Sequence, residues 1–193
     1  MDRQSAHFEK KEPFLENILC ALRFRKIKKH IPVDSKVLDV GCGYNGKILY
    51  KIKDKLRAGV GLDISTNGAD PDKKIRLAEH DLACPLPFDD SSFDAVTSLA
   101  NLEHLESPSD VLQEIHRVLK PGGILLLTAP SFFGKPVLKF LAFLRMVSQQ
   151  EIDDHKNYFN KKILLGLCRQ VGFTTAKHKY FQLGMNNFLI AKK

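Results

Sequence analysis

Three aspartates stand at or directly behind short apolar runs: Asp39 in Lys36 to Val40, Asp63 after Ala58 to Leu62, and Asp81 after Ile75 to His80. Between the first two lies the turn Gly41-Cys42-Gly43-Tyr44-Asn45-Gly46. Such a turn lets a ligand come close to the backbone and aims free N–H groups at an anion. A carboxylate two residues before its first glycine favours a ligand that carries a cationic amine beside a carboxylate. The Gly-x-Gly-x-x-Gly spacing also matches a dinucleotide turn, but a pyrophosphate gains nothing from Asp39. Taken singly, a strand-end aspartate reads equally as a turn or helix cap. Three of them behind three consecutive strands read as one ligand site. Asp94 opens its run and reads as structural, and Cys42 reads as a packed thiol without reactivity.

The elements that would position these groups alternate between the two hydrophobic periods. Glu12 to Lys29 reads as a helix, with Phe14, Leu15, Ile18, Leu19 and Leu22 on one stripe and a basic far end. Strands are predicted at 36–40, 58–62, 75–80, 93–99 and 124–128. A helix follows the glycine turn, with Ile48, Leu49, Ile52 and Leu56 on one face, and Ser65 to Asp72 reads as loop. Ser109 to Lys120 is an amphipathic helix stopped by Pro121-Gly122-Gly123, and Asn160 to Gln170 is another, capped by Asn160 and ended near Gly172. Phe173 to Leu183 and Asn187 to Ala191 read as a terminal hairpin around Gly184. Strands alternating with helices predict an α/β, doubly wound, mostly parallel sheet whose ligands bind at the carboxyl ends of the strands.

Several stretches then resemble one family. Val37-Leu38-Asp39-Val40-Gly41-Cys42-Gly43 resembles the first motif of class I S-adenosylmethionine-dependent methyltransferases, and Gly61-Leu62-Asp63-Ile64-Ser65 resembles their second. His80-Asp81-Leu82, Leu86-Pro87-Phe88 with Ser91-Ser92-Phe93-Asp94, Leu102-Glu103-His104-Leu105 and Arg117 to Gly123 are similar to the later ones. The likeness is detailed over residues 35–130, and its flavour is the small-molecule (type 11-like) branch. It implies a seven-stranded Rossmann-like sheet with a C-terminal antiparallel hairpin and S-adenosyl-L-methionine as cofactor. Asp39 and the Gly41, Cys42 and Gly43 backbone would hold the methionine part, Asp63 with Ile64 the ribose hydroxyls, Asp81 with Leu82 the adenine, and Leu99 the sulfonium side. The third glycine departs by one position from the family's tighter turn, which bears on loop shape. His104 would sit near the transferable methyl. His155, just before the final helix, stands where similar methyltransferases place a histidine facing the acceptor, though it reads equally as an exposed residue of a charged loop. Both are the candidates for a general base.

Composition bounds the alternatives. The chain has 193 residues, 44% of them hydrophobic, and a formal net charge of +8. That length suits one domain spanning 1–193, with an N-terminal helical cap (1–33) and an insert or lid (131–158). Cys20, Cys42, Cys84 and Cys168 form no CxxC pair, and no His/Asp/Glu cluster has ligand spacing, so neither zinc nor another metal is expected. No apolar run reaches a membrane span, and Met1 to Pro13 lacks a signal-peptide core, so a soluble, cytoplasmic protein is expected. The insert's apolar stretch, Pro136 to Val147, reads as a core helix, a lid over an apolar acceptor, or an interfacial helix in peripheral membrane contact.

The charge is uneven: net +7 over residues 1–60, −8 over 61–118 and +9 over 119–193. The acidic middle argues against a uniformly basic nucleic-acid module, and no Asn/Asp-Pro-Pro-aromatic motif is present. Basic ends framing an acceptor entrance point to an anionic small molecule. Two competing readings stay open at this point. One is an NAD-linked oxidoreductase, from the glycine spacing and an acid 17 residues after Gly46, which leaves Asp39 and Asp81 unexplained. The other is a non-catalytic cofactor-binding module with an RNA or protein partner, which the basic ends would suit.

Overall fold

The apolar runs become seven strands of one sheet in a computed structural model that describes residues 14–68, 73–137, 144, 146 and 153–193. They are β1 (Ser35–Val40), β2 (Leu56–Asp63), β3 (Ile75–Glu79), β4 (Phe93–Leu99), β5 (Leu119–Pro130), β6 (Thr175–Phe181) and β7 (Asn186–Lys192). Their spatial order is β3-β2-β1-β4-β5-β7-β6. The first five are mutually parallel, and β7 runs antiparallel to both β5 and β6. This is the doubly wound sheet with a terminal hairpin that the sequence predicts. The start of the first predicted helix and most of the Pro136 to Val147 stretch, with its lid and membrane readings, lie outside the described residues.

Helices cover both faces. On one side, α1 (Phe14–Ile27) and α2 (Lys47–Lys51) bury Ile27, Ile48 and Leu49 with Val37, Ile75, Ala95 and Leu126. On the other, α3 (Pro108–Val118) and α4 (Lys161–Val171) bury Val111, Leu112, Ile115, Leu164 and Cys168 against Leu38, Val96, Leu125 and Leu127. Successive β1 residues thus feed opposite layers, as a strand buried on both faces must.

Several boundaries differ from the periodicity, most clearly where a helix meets the next strand. The helix after the glycine turn ends at Lys51, a 3-10 turn spans Lys53–Lys55, and Leu56 already opens β2. Lys55 explains the early end, because its Nζ donates to the carbonyls of Lys28 and Ile31 at the end of the first helical segment. Helix α3 ends at Val118, not Lys120, because Leu119 pairs with Phe93 and begins β5. Strand β4 and the Asn160 cap stand as expected, the cap accepting from the Ile163 N–H at 2.9 Å.

Part of the acidic middle is spent on the frame. Asp94 sits at the amino end of β4 and takes Lys120 Nζ at 2.6 Å, Arg57 at 3.1 Å and the Lys36 N–H at 2.8 Å. Arg117 ties Glu114 and Asp90 to the carbonyls of Leu86 and Phe88, fastening the loop behind Asp81 to α3.

Asn187, fully buried in β7, fastens the other end of the molecule. Its side-chain amide donates to the carbonyls of Ala129, Pro130 and Phe159 at 3.1–3.2 Å, while His178 contacts its oxygen at 2.7 Å. Removing that amide strands carbonyls in the interior, which costs about 1–3 kcal/mol. Asn187→Ala is therefore expected to lose about that much stability in urea unfolding monitored by circular dichroism.

Candidate active site

The sheet register sets the carboxyl ends of β1, β2 and β4 side by side, with Asp39 opposite both Gly61 and Thr97. The chain leaves β1 through Gly41, whose N–H bonds the Leu62 carbonyl at 2.8 Å. Gly41 has φ +77°, and a Cβ there would lie 2.3 Å from the Asn101 side chain. Asn101 reaches that place because Ala100 turns the end of β4 with φ +53°, a left-handed conformation uncommon outside glycine. The Ala100 N–H holds the turn by donating to Thr128 at 2.9 Å. Beyond Cys42, which is buried, Gly43 has φ +69° and open space where a Cβ would point.

Each predicted carboxylate is near this turn or on the loops beside it. Asp39 is 2% exposed and accepts a 2.5 Å bond from the Thr97 hydroxyl. Burial pushes its carboxyl up to about 7, against the Thr97 bond and with the help of neighbouring Asp63. Asp63 accepts from the Gly43 and Ile64 N–H groups, both at 2.8 Å, one on each oxygen, so the end of β2 is bonded to the glycine turn. Each oxygen keeps a second lone pair for a hydroxyl. Asp81 lies one strand further out and accepts from the Ala83 N–H at 2.9 Å. Leu82 packs on the core beside it, and Leu99 lies half-buried at the end of β4. Burial also raises the Cys42 thiol far above its ordinary range, which agrees with an unreactive packing role.

The histidine pair meets on the other side of Asn101. The His104 N–H bonds the Asn101 carbonyl at 3.0 Å, so the 3-10 turn Leu102–His104 continues directly from the residue packed on Gly41. The N–H groups of Lys156 and Asn157 both donate to the Glu103 carbonyl, at 2.9 and 3.0 Å, and Asn157 Nδ2 donates to Leu105. These bonds bring His155 to His104, with ring centroids 4.9 Å apart. Burial lowers the His155 pKa to about 4, with His104 and Arg23 pushing the same way, so its imidazole is neutral near pH 7. Its Nδ1 lies 3.2 Å from the Tyr158 hydroxyl, and Tyr158 packs edge-on against Phe132 at the end of β5. Sequence reasoning named both histidines but not their contact, nor Thr97, Asn101 or Tyr158. The Leu102-Glu103-His104 motif and the position of His155 before the final helix were the visible signals for this side.

Carboxylates at the carboxyl ends of adjacent parallel strands, in a sheet closed by an antiparallel hairpin, give a Rossmann-like architecture. Residues 38–127 match the family model described as a methyltransferase domain. The chain is 30% identical over 191 residues to a demethylmenaquinone methyltransferase of Staphylococcus epidermidis, covering 82% of this chain and 78% of that one. It is 28% identical over 179 residues to the ubiquinone/menaquinone biosynthesis C-methyltransferase UbiE of a Ruegeria species, covering 78% and 70%. A solved S-adenosylmethionine-dependent methyltransferase from Mesorhizobium loti shares the fold with a TM-score of 0.69 at 17% identity, over 88% of this chain and 96% of that one. The chain belongs to the class I S-adenosylmethionine-dependent methyltransferases and is a methyl-transferring enzyme. The oxidoreductase and non-catalytic readings are not favoured. Among the described residues no helix is long and apolar enough to cross a membrane.

The residues suit the cofactor this family implies. Gly43 leaves a cradle that any Cβ would fill, Asn101 Nδ2 is buried without a hydrogen-bond partner, and Asp39 keeps acceptor capacity beyond its Thr97 bond. Asp39 also sets a pH dependence. Its folded pKa lies above the ordinary 3.8, so the fold prefers the protonated acid and gains stability as pH falls from about 7 towards 4. A ligand ammonium prefers the carboxylate, so cofactor affinity runs the other way. Calorimetric titration is expected to show affinity falling below about pH 7, by up to about tenfold per unit, with a flatter profile in Asp39→Asn.

Proposed function

We propose that this methyltransferase methylates a small hydroxylated aromatic ring of the quinol class, held between the histidine pair and the aromatic wall of Phe132 and Tyr158. The reading is supported by the quinone-related activities in the names of two relatives and, on the chain itself, by the His104–His155 contact at the end of β4.

On the cofactor side, Asp39 and the Gly41–Gly43 backbone would hold the amino-acid part. Asp63 with Ile64 would hold the ribose hydroxyls, Asp81 with Leu82 the adenine, and Leu99 would line the sulfonium side. The cofactor supplies, when bound, an electrophilic methyl on a sulfonium. The chain's part is to hold an acceptor atom in line with it, which is worth up to about 7–11 kcal/mol as avoided entropy. Two imidazoles this close carry one proton between them more readily than two, because a second cation meets the first in a half-buried site. The pair can therefore take one proton, and a ring hydroxyl is its source. Loss of that proton pushes electron density onto the adjacent ring carbon, the nucleophile of a C-methylation. After transfer, the proton on that carbon leaves to water and restores the aromatic ring.

Asp63→Ala is expected to remove most S-adenosylmethionine binding in calorimetry, since it deletes both ribose acceptors and frees the Gly43 N–H. His104→Ala is expected to keep cofactor binding and lose about 10²–10⁴-fold in turnover of a reduced naphthoquinone acceptor, read by mass spectrometry. Wild-type protein giving no heat with the cofactor, or a His104→Ala enzyme with unchanged turnover, overturns the respective half.

A further inference from the structure

We propose that Glu103, His104 and His155 form a binding site for a divalent transition-metal cation on the acceptor side of this active site. The sequence separates His155 from the other two by about fifty residues, yet in the fold one ligand atom from each lies within 4.8 Å of the other two. A metal bound at about 2.0–2.2 Å needs donors about 3.0–3.5 Å apart, which small side-chain rotations supply. The donor set is two imidazoles and a carboxylate, the class that takes zinc, iron, cobalt or manganese and not magnesium or calcium.

The surroundings resemble a built site. Glu103 is 1% exposed, so its carboxylate meets the two imidazoles out of bulk water. The backbone bonds from Lys156 and Asn157 to the Glu103 carbonyl fix the segment that carries His155. The Tyr158 hydroxyl engages His155 Nδ1 and orients the ring, as outer-sphere partners of metal-bound histidines do, leaving Nε2 as donor. Three protein ligands leave coordination positions open.

The role of the cation rests on the reading above that the acceptor lies here. An acceptor hydroxyl oxygen joins the metal as a further ligand, its pKa falls, and its proton passes to water. In the loaded site the imidazoles act through the cation instead of as free bases. A ring with two neighbouring oxygens could fill two open positions at once.

The test uses untagged full-length protein, titrated with Co²⁺ followed by its visible absorption and with Zn²⁺ by calorimetry. One equivalent of each is expected to bind, with cobalt bands typical of mixed nitrogen and oxygen ligation. Glu103→Gln and His155→Ala are each expected to weaken binding at least about tenfold while S-adenosylmethionine still binds. His155→Ala changes a half-buried loop side chain and leaves the segment's backbone bonds in place, so it remains informative if Glu103→Gln does not fold. No cobalt band and no zinc heat from wild-type protein that binds the cofactor overturns the proposal, as does metal binding unchanged by His155→Ala. Loss of cofactor binding in wild-type protein would instead overturn the cofactor reading and leave a positive metal result standing.

Discussion

A carboxylate held out of water at the end of the central strand is the constraint around which the structure is arranged. Asp39 can stay at 2% exposure because β4 brings the Thr97 hydroxyl beneath it. That requires β4, three strands further on in sequence, to lie against the edge of β1 that β2 leaves free. The order β2-β1-β4 opens a crevice where successive connections pass to opposite faces. The strand ends here are unusually polar for a core, with Thr97, Ser98 and Thr128 all buried. Such an interior is costly unless polar atoms find partners, and it makes this end of the sheet a poor place for packing and a good one for a polar ligand.

The two halves of the site draw on different parts of the chain. The half proposed to hold the cofactor belongs to β1, β2 and β3 and is held by short bonds, such as those from Gly43 and Ile64 to Asp63. The half proposed to hold the acceptor belongs to β4, β5 and the segment before α4, and it is assembled across long separations by Asn187 and the Glu103 carbonyl. Ala100 is the joint between them. Its left-handed turn drives Asn101 onto Gly41 and leaves the next residues aimed at the histidine side. Backbone strain of this kind persists where its surroundings over-determine it.

What the sequence made legible follows the same division. The strand ends, the glycine turn, β4 and the Asn160 cap rest on local chemistry, and the structure has them where the pattern puts them. The lengths of α2 and α3 were over-read because Ile52, Leu56 and Leu119 are apolar whether a helix continues or a strand begins. Two competitors outside the local window decided those ends: Lys55 reaching back to the Lys28 and Ile31 carbonyls, and Leu119 pairing with Phe93. The meeting of His104 with His155 was not legible, since two backbone bonds to a single carbonyl leave no side-chain signature.

One feature of the topology reaches beyond the site. Strand β7 follows the other six in sequence yet lies inside the sheet, with β5 on one side and β6 on the other. During synthesis β6 therefore emerges with no neighbour to join, and β5 keeps an open hydrogen-bonding edge. Asn187, which clips this end of the sheet together, arrives with β7. On the ribosome β1, β2 and β3 are made long before this end of the sheet can close. A nascent chain stalled near residue 185 would expose an aggregation-prone edge beside a half-formed site, so closure of this end of the sheet waits on the synthesis of β7.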